Sequence, residues 1–263
     1  MRKVYFILAI VMVACLGCQW QLKPHSDTDD ELKVTIARYD RIENLYLTTG
    51  DYSALQQMNT YFPTQTRMLI EDVLQLGKVN DPDINTKFLY FFQDSTLQTM
   101  LQDVQREFAD MEDIEEELTD AFERLRDEMP EVELPEVYAQ IGSFDQSIVV
   151  GNKSLGVSLD KYLGADYPFY QTYYDEGQRR MMVRSMIVPD CLSFYILSLY
   201  PLPAELLESK PYRDFHMGKI QWLVNQLLSK KVFENPSVEA VSQYMQQHKQ
   251  LKIEKLLREI HRL

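Results

Sequence analysis

The sequence predicts an α+β protein, mainly α-helical with a small antiparallel sheet, on three observations. Apolar residues recur at helical spacing through most of the chain, most persistently over 97–129. Three short alternating segments between Val137 and Leu159 are separated by glycine-containing turns. Sixteen Tyr and twelve Phe stand against nine Gly, a balance suited to an aromatic-packed helical interior. With 263 residues, 45% of them hydrophobic and 25% charged, the chain can bury a real core, which excludes wholesale disorder. The net charge of −13 argues against nucleic acid as a partner, because a phosphate backbone is bound by concentrated positive charge.

The N-terminus carries the firmest functional signal. Arg2 and Lys3 precede an unbroken apolar run over 4–13, then Ala14-Cys15-Leu16-Gly17-Cys18, and the chain turns polar at Gln19. This reads as an export signal, too short for a stable membrane span. A cysteine after a small residue at the end of such a run resembles a bacterial lipobox, where the signal is cut before a cysteine that receives diacylglycerol. Two registers fit: Cys18 follows Leu16-Gly17, and Cys15 follows Met12-Val13-Ala14. Cys18 is the lipidation site taken here, with Cys15 the alternative. The expected organisation is a signal over 1–17, a flexible polar tether over 18–31, and one domain over 32–263. Attachment is then peripheral, through acyl chains.

Within the domain, Val34 and Ile36 alternate with Thr35 and Ala37 and predict a strand running to Asp40. Asp51 or Ser53 can cap a helix through Met58. A helix over 66–76 closes on Gly77, and Asp81-Pro82-Asp83 starts another through Phe92. The pattern over 97–129 divides near Asp110, which can cap its second half. The acids crowding its other face suit calcium, a cationic partner or solvent; no EF-hand loop spacing occurs, and a solvated face is the simpler expectation. Val137 to Leu159 reads as an antiparallel meander with turns at Gly142-Ser143 and Gly151-Asn152-Lys153. Asn152 and Ser147 occupy positions where a phosphate-binding loop ending at Lys153-Ser154 requires glycine, so the second turn is a hairpin. A helix over 178–200 bends or restarts at Pro189, and further helices follow over 214–230, 236–246 and 249–263. The last is basic, and its simplest docking surface is the acidic domain itself.

Catalytic constellations are missing parts. The four histidines, His25, His216, His248 and His261, form no helical zinc pair, and no nucleophile elbow or dinucleotide fingerprint occurs. No cofactor is therefore expected. Cys191 lies in an apolar stretch and reads as a buried inert thiol. Asp160, Tyr162 and Asp190 form a candidate ligand or partner surface, with Asp160 also placed to cap Lys161-Tyr162-Leu163. Tyr167, Tyr170, Tyr173 and Tyr174 suit a core more readily than a ligand site.

Several blocks together resemble the GldB family of gliding-motility lipoproteins: Val34-Thr35-Ile36-Ala37-Arg38-Tyr39-Asp40, Tyr61-Phe62-Pro63, Val73-Leu74-Gln75-Leu76-Gly77 and Ile141-Gly142-Ser143-Phe144-Asp145-Gln146-Ser147. The strongest is Leu155-Gly156-Val157-Ser158-Leu159-Asp160-Lys161-Tyr162-Leu163-Gly164, followed by Phe169-Tyr170, then Ile187-Val188-Pro189-Asp190 and Met217-Gly218-Lys219-Ile220. The likeness spans roughly 30–230. Beyond it the chain departs from the family's usual tryptophan-containing helix and glycine- and proline-rich C-terminal block, the pattern of a truncated or divergent member. The resemblance implies a lipid-anchored envelope protein, periplasmic and at the outer membrane by preference, with no catalytic residues to carry over. Its partners are then the membrane, through the N-terminal lipid, and envelope proteins. The layout also resembles a zinc metallopeptidase core that has lost its His-Glu-x-x-His, with 184–197 as the former ligand helix. That makes an envelope hydrolase, or a small-ligand binder, the alternative expectation.

Overall fold

The computed structural model describes residues 32–259. Both candidate lipidation cysteines, the signal and tether segments, and Ile260, His261 and Leu263 of the last predicted helix lie outside these residues. The architecture is α+β and mainly helical, and the described residues from Lys33 onward form one compact unit.

The predicted first strand is not a regular strand: residues 34–38 are irregular but for one bridge, and its last two residues, Tyr39 and Asp40, already belong to a helix. Only Ala37 pairs, in a single parallel bridge to Tyr138, and α1 begins at once over Tyr39–Thr49. The reason is visible upstream: Val34 donates its N–H to Thr119 Oγ1 (3.0 Å) and Ile36 to Glu115 Oε1 (2.7 Å). Side chains of a helix thus take the amides a strand partner would have used. Helix α2 (Tyr52–Tyr61) is capped by Asp51, which accepts the Ser53 N–H. Helix α3 (Pro63–Met68) widens into a π-helical turn over Leu69–Val73, and both Gln75 (φ 53°) and Gly77 (φ 137°) take positive φ beyond its end. Helix α4 spans Ile84–Phe91.

The long pattern divides as its apolar period predicts, into α5 (Ser95–Glu107) and α6 (Glu112–Glu128). Asp110 accepts the Glu112 N–H at the break, although Met111 holds the capping position itself. The acidic face of α6 is used more than a purely solvated face would be. Asp113 takes a two-pronged bond from Arg184, Glu115 anchors Ile36, and Glu117 pairs with Lys230.

The sheet is mixed, which corrects the antiparallel meander. Its strands β1 (Glu136–Gln140), β2 (Ile148–Gly151) and β3 (Ser154–Ser158) lie in the order β1-β3-β2, with β1 parallel and β2 antiparallel to β3. The second turn is a hairpin as expected, with Lys153 left-handed at φ 58°. The first is not. To reach the far side of β3, the chain leaving β1 must cross over the end of β3, and residues 141–147 make that crossing.

The remainder is helical: α7 (Pro168–Tyr173), α8 (Glu176–Met181), α9 (Ile187–Leu199), α10 (Lys210–Leu228), α11 (Pro236–Gln247) and α12 (Ile253–Arg258). Pro189 sits in the first turn of α9, where its missing N–H costs nothing, so the predicted break falls earlier, at Met182–Met186. Helix α1 packs on β1, while α9 packs on β2 and β3. Among the described residues, the C-terminal helix docks on its own domain through a buried cation beneath it. Lys219 of α10, 2% exposed, donates from Nζ to the carbonyls of Leu256 (3.1 Å), Leu257 (3.3 Å) and Glu259. A cation at the carbonyl end of a helix satisfies groups that have no intrahelical partner.

Candidate functional site

The crossing loop is held from beneath by two buried carboxylates. Glu43 on α1 accepts the Ile141 N–H at Oε2 (2.9 Å). Asp160, just past the end of β3, accepts the Gly142 N–H at Oδ1 (2.6 Å) and the Phe144 N–H at Oδ2. The topology explains the meeting, since the loop passes over the strand end that carries Asp160. Both acids are 0% exposed. An ionised carboxylate is tolerated there only because amide donors replace water. Burial pushes the Asp160 carboxyl above its ordinary range, while the Gly142 and Phe144 amides pull it back. Burial lifts Glu43 well above that range. The Ile141 amide opposes the shift, and the negative charges of Asp160 and Asp40 add to it.

The price of this arrangement is local strain. Ser143 and Phe144 are both left-handed, at φ 54° and 67°, a conformation costing non-glycine residues about 1 kcal/mol or more each. Gly142 admits no side chain, because a Cβ would stand 2.8 Å from Ser158 Oγ. Phe144 is gripped on every side. Its carbonyl accepts from Lys161 Nζ (3.1 Å) and Tyr174 OH (2.9 Å), and its ring stacks on Phe169 at 4.0 Å and 13°. Tyr170, also fully buried, donates to the Asp160 carbonyl and accepts the Leu163 N–H (3.1 Å). What the loop presents outward is Asp145 and Gln146, both exposed.

The residues read from sequence as one surface serve separate roles. Asp160 and Tyr162 are 0% and 1% exposed, and Asp160 anchors the loop where a helix cap was expected. Tyr162 donates its hydroxyl to Asp190 Oδ2 (2.8 Å). Burial raises the Asp190 carboxyl to about 6, and the tyrosine bond holds it from going higher. Asp160 and Asp190 are thus each committed to different partners. Of the tyrosine group, Tyr170 is core, while Tyr173 is 68% exposed. Cys191 is fully buried and its thiol is pushed up, chiefly by burial and further by the Asp190 charge. His216 bonds the Tyr200 carbonyl through Nε2 (2.7 Å). Among the described residues, no group of three or more His, Cys, Asp or Glu side chains could hold a metal ion.

Glu43, Phe144 and Lys161 enter the site without having been singled out. Glu43 had a readable signal: it lies four residues after Tyr39 and four before Leu47, on the buried face of α1, where an acid needs a partner. The paired left-handed residues had none, because neither is glycine. A separate cleft of about 290 Å³, lined by Tyr200, Phe215, His216, Lys219 and Arg258, shares no residue with the loop.

Comparison with known proteins places the chain against a family model. The family model described as gliding motility protein GldB matches residues 21–233. No curated protein and no solved structure matches the chain. The matched stretch contains every loop-anchoring residue named above, from Glu43 to Tyr174.

Proposed function

The chain belongs to the GldB family of gliding-motility lipoproteins, and from that premise we propose that it works at the cell envelope through protein contacts made by the 143–146 loop. Family membership itself implies association with the envelope. Among the described residues no helix is long and apolar enough to cross a membrane. In this reading a lipid on Cys18, or on Cys15, holds the domain at the membrane. The periplasmic side of the outer membrane is the favoured location.

The observation that carries the proposal is the way two buried carboxylates are used. Glu43, through one oxygen, and Asp160, through both, accept the amides of Ile141, Gly142 and Phe144, fixing a strained loop whose outward residues, Asp145 and Gln146, are exposed. Stored backbone strain at a rigidly supported loop is characteristic of sites that meet another molecule. The competing hydrolase reading is built on Asp160, Asp190 and tyrosines. Both Asp160 oxygens are already occupied by amides, and Asp190 is bonded by Tyr162, away from Asp160's partners.

The test is a functional one in the bacterium that carries the protein. Replacing Asp145 and Gln146 together by alanine should abolish colony spreading, or the equivalent family phenotype, with the protein level unchanged. Full function in that variant would remove the loop from the account.

A further inference from the structure

We propose that Glu43, Tyr138 and Gln140, with Tyr39, form an internal site for one small hard cation of the Na+ or Ca2+ type, between α1 and the sheet. Tyr39 and Glu43 lie one helical turn apart on the face of α1 that covers β1. Tyr138 and Gln140 lie two residues apart on β1, hence on one face of the strand. The Tyr39 and Tyr138 rings are 6.4 Å apart and edge-on, which brings the two sets together.

Four side-chain oxygens in this space have no hydrogen-bond partner: Glu43 Oε1, Gln140 Oε1, Tyr138 Oη and Tyr39 Oη. Their residues are 0–2% exposed. The other atoms of the same groups are engaged, since Glu43 Oε2 accepts Ile141 N–H and Gln140 Nε2 donates to Ser158 Oγ (3.2 Å). Thr66 stands beside the Tyr39 hydroxyl, so the site rests chiefly on the other three oxygens. Buried polar atoms are nearly always satisfied, and several left over on the facing surfaces of α1 and β1 call for a guest.

The chemistry of the set suits a cation. Every unpartnered atom is an oxygen; that of Gln140 is an acceptor only, and that of Glu43 is one whenever the carboxyl is ionised, the form a bound cation favours. Among the described residues no cationic side chain pairs with Glu43. Asp40 is paired with Arg38, Asp160 is bound by backbone amides, and both acids add negative field at Glu43. A hard cation takes oxygen ligands of this kind at about 2.3–2.6 Å. One carboxylate and neutral oxygens make a low-charge site, so occupancy is structural: the ion pins α1, and with it the Glu43 anchor of the loop.

The test uses the purified full chain, refolded from urea in chelated buffer with tetramethylammonium as the sole cation. NaCl and CaCl2 are then added in separate arms at constant ionic strength, and the melting temperature is followed. A saturable rise with one ion at one per chain, lost in Glu43→Gln and weakened about tenfold in Tyr138→Phe, is expected. The arm that responds identifies the ion. No saturable rise in either arm overturns the proposal, as does a rise of equal size in Tyr138→Phe, which would place the ion on surface acids. Should Glu43→Gln fail to fold, Tyr138→Phe decides alone. The outcome is independent of whether the loop contacts a partner.

Discussion

The Asp160 carboxylate accepts the Gly142 amide N–H at 2.6 Å and so joins the end of β3 to the loop that crosses above it. The second oxygen of the same carboxylate holds Phe144. Asp160→Asn keeps the volume and one acceptor but turns an amide NH2 toward one of the two N–H groups. The variant should lose about 2–4 kcal/mol of stability in urea unfolding, because a buried donor is left unsatisfied. Amide exchange over 141–147 should rise with it. Stability and exchange at wild-type levels would show that the loop holds itself.

Asp190 makes stability depend on pH in a defined window. Its folded carboxyl titrates at about 6 against an ordinary 3.8, so the folded state binds more protons between those values. The stability it contributes is therefore full below about pH 3.8 and falls as pH rises to 6, by up to about 3 kcal/mol. Asp190→Asn should gain on the wild type as pH rises from 4 to 6, read from urea midpoints. Tyr162→Phe, which removes the bond favouring the ionised form, should extend the loss to higher pH.

Lys219 gives the opposite sign. Burial lowers its amine to about 8 from 10.5, so the unfolded chain binds more protons between those values and stability climbs as pH rises through them. Lys219→Met should lack that climb. It should also free α12, with amide exchange over Ile253–Arg258 accelerated well before global unfolding. Unchanged exchange there would mean that Leu256 and Leu257 alone hold the helix.

Lipidation separates the two registers at the N-terminus. Labelled palmitate should enter the wild type and Cys15→Ala but not Cys18→Ala. Label retained only when Cys15 is present would move the anchor to that residue. Absence of label from the wild type would contradict lipid attachment altogether.

How much of this was legible follows physical lines. Amphipathic period and caps predicted α2, α4, α5 and α6, because those signals act within a few residues. The Gly151-Asn152-Lys153 hairpin was legible for the same reason. The parallel pairing of β1 with β3 was not, since strand order depends on a crossing that no local pattern records. Val34 and Ile36 alternate like a strand, yet their amides are taken by Thr119 and Glu115, some eighty residues away. At the site, Asp160 stood out as chemistry-bearing, but its work is with Gly142 and Phe144, and proximity in sequence pointed instead to capping Lys161.

The most direct test of the central claim is in-cell photocrosslinking from a single reactive residue placed at Gln146, with the same group at exposed Glu208 as control. A discrete envelope-protein adduct at Gln146 that is absent at Glu208 is the predicted result. No adduct at Gln146, or the same adducts from both positions, would contradict the account.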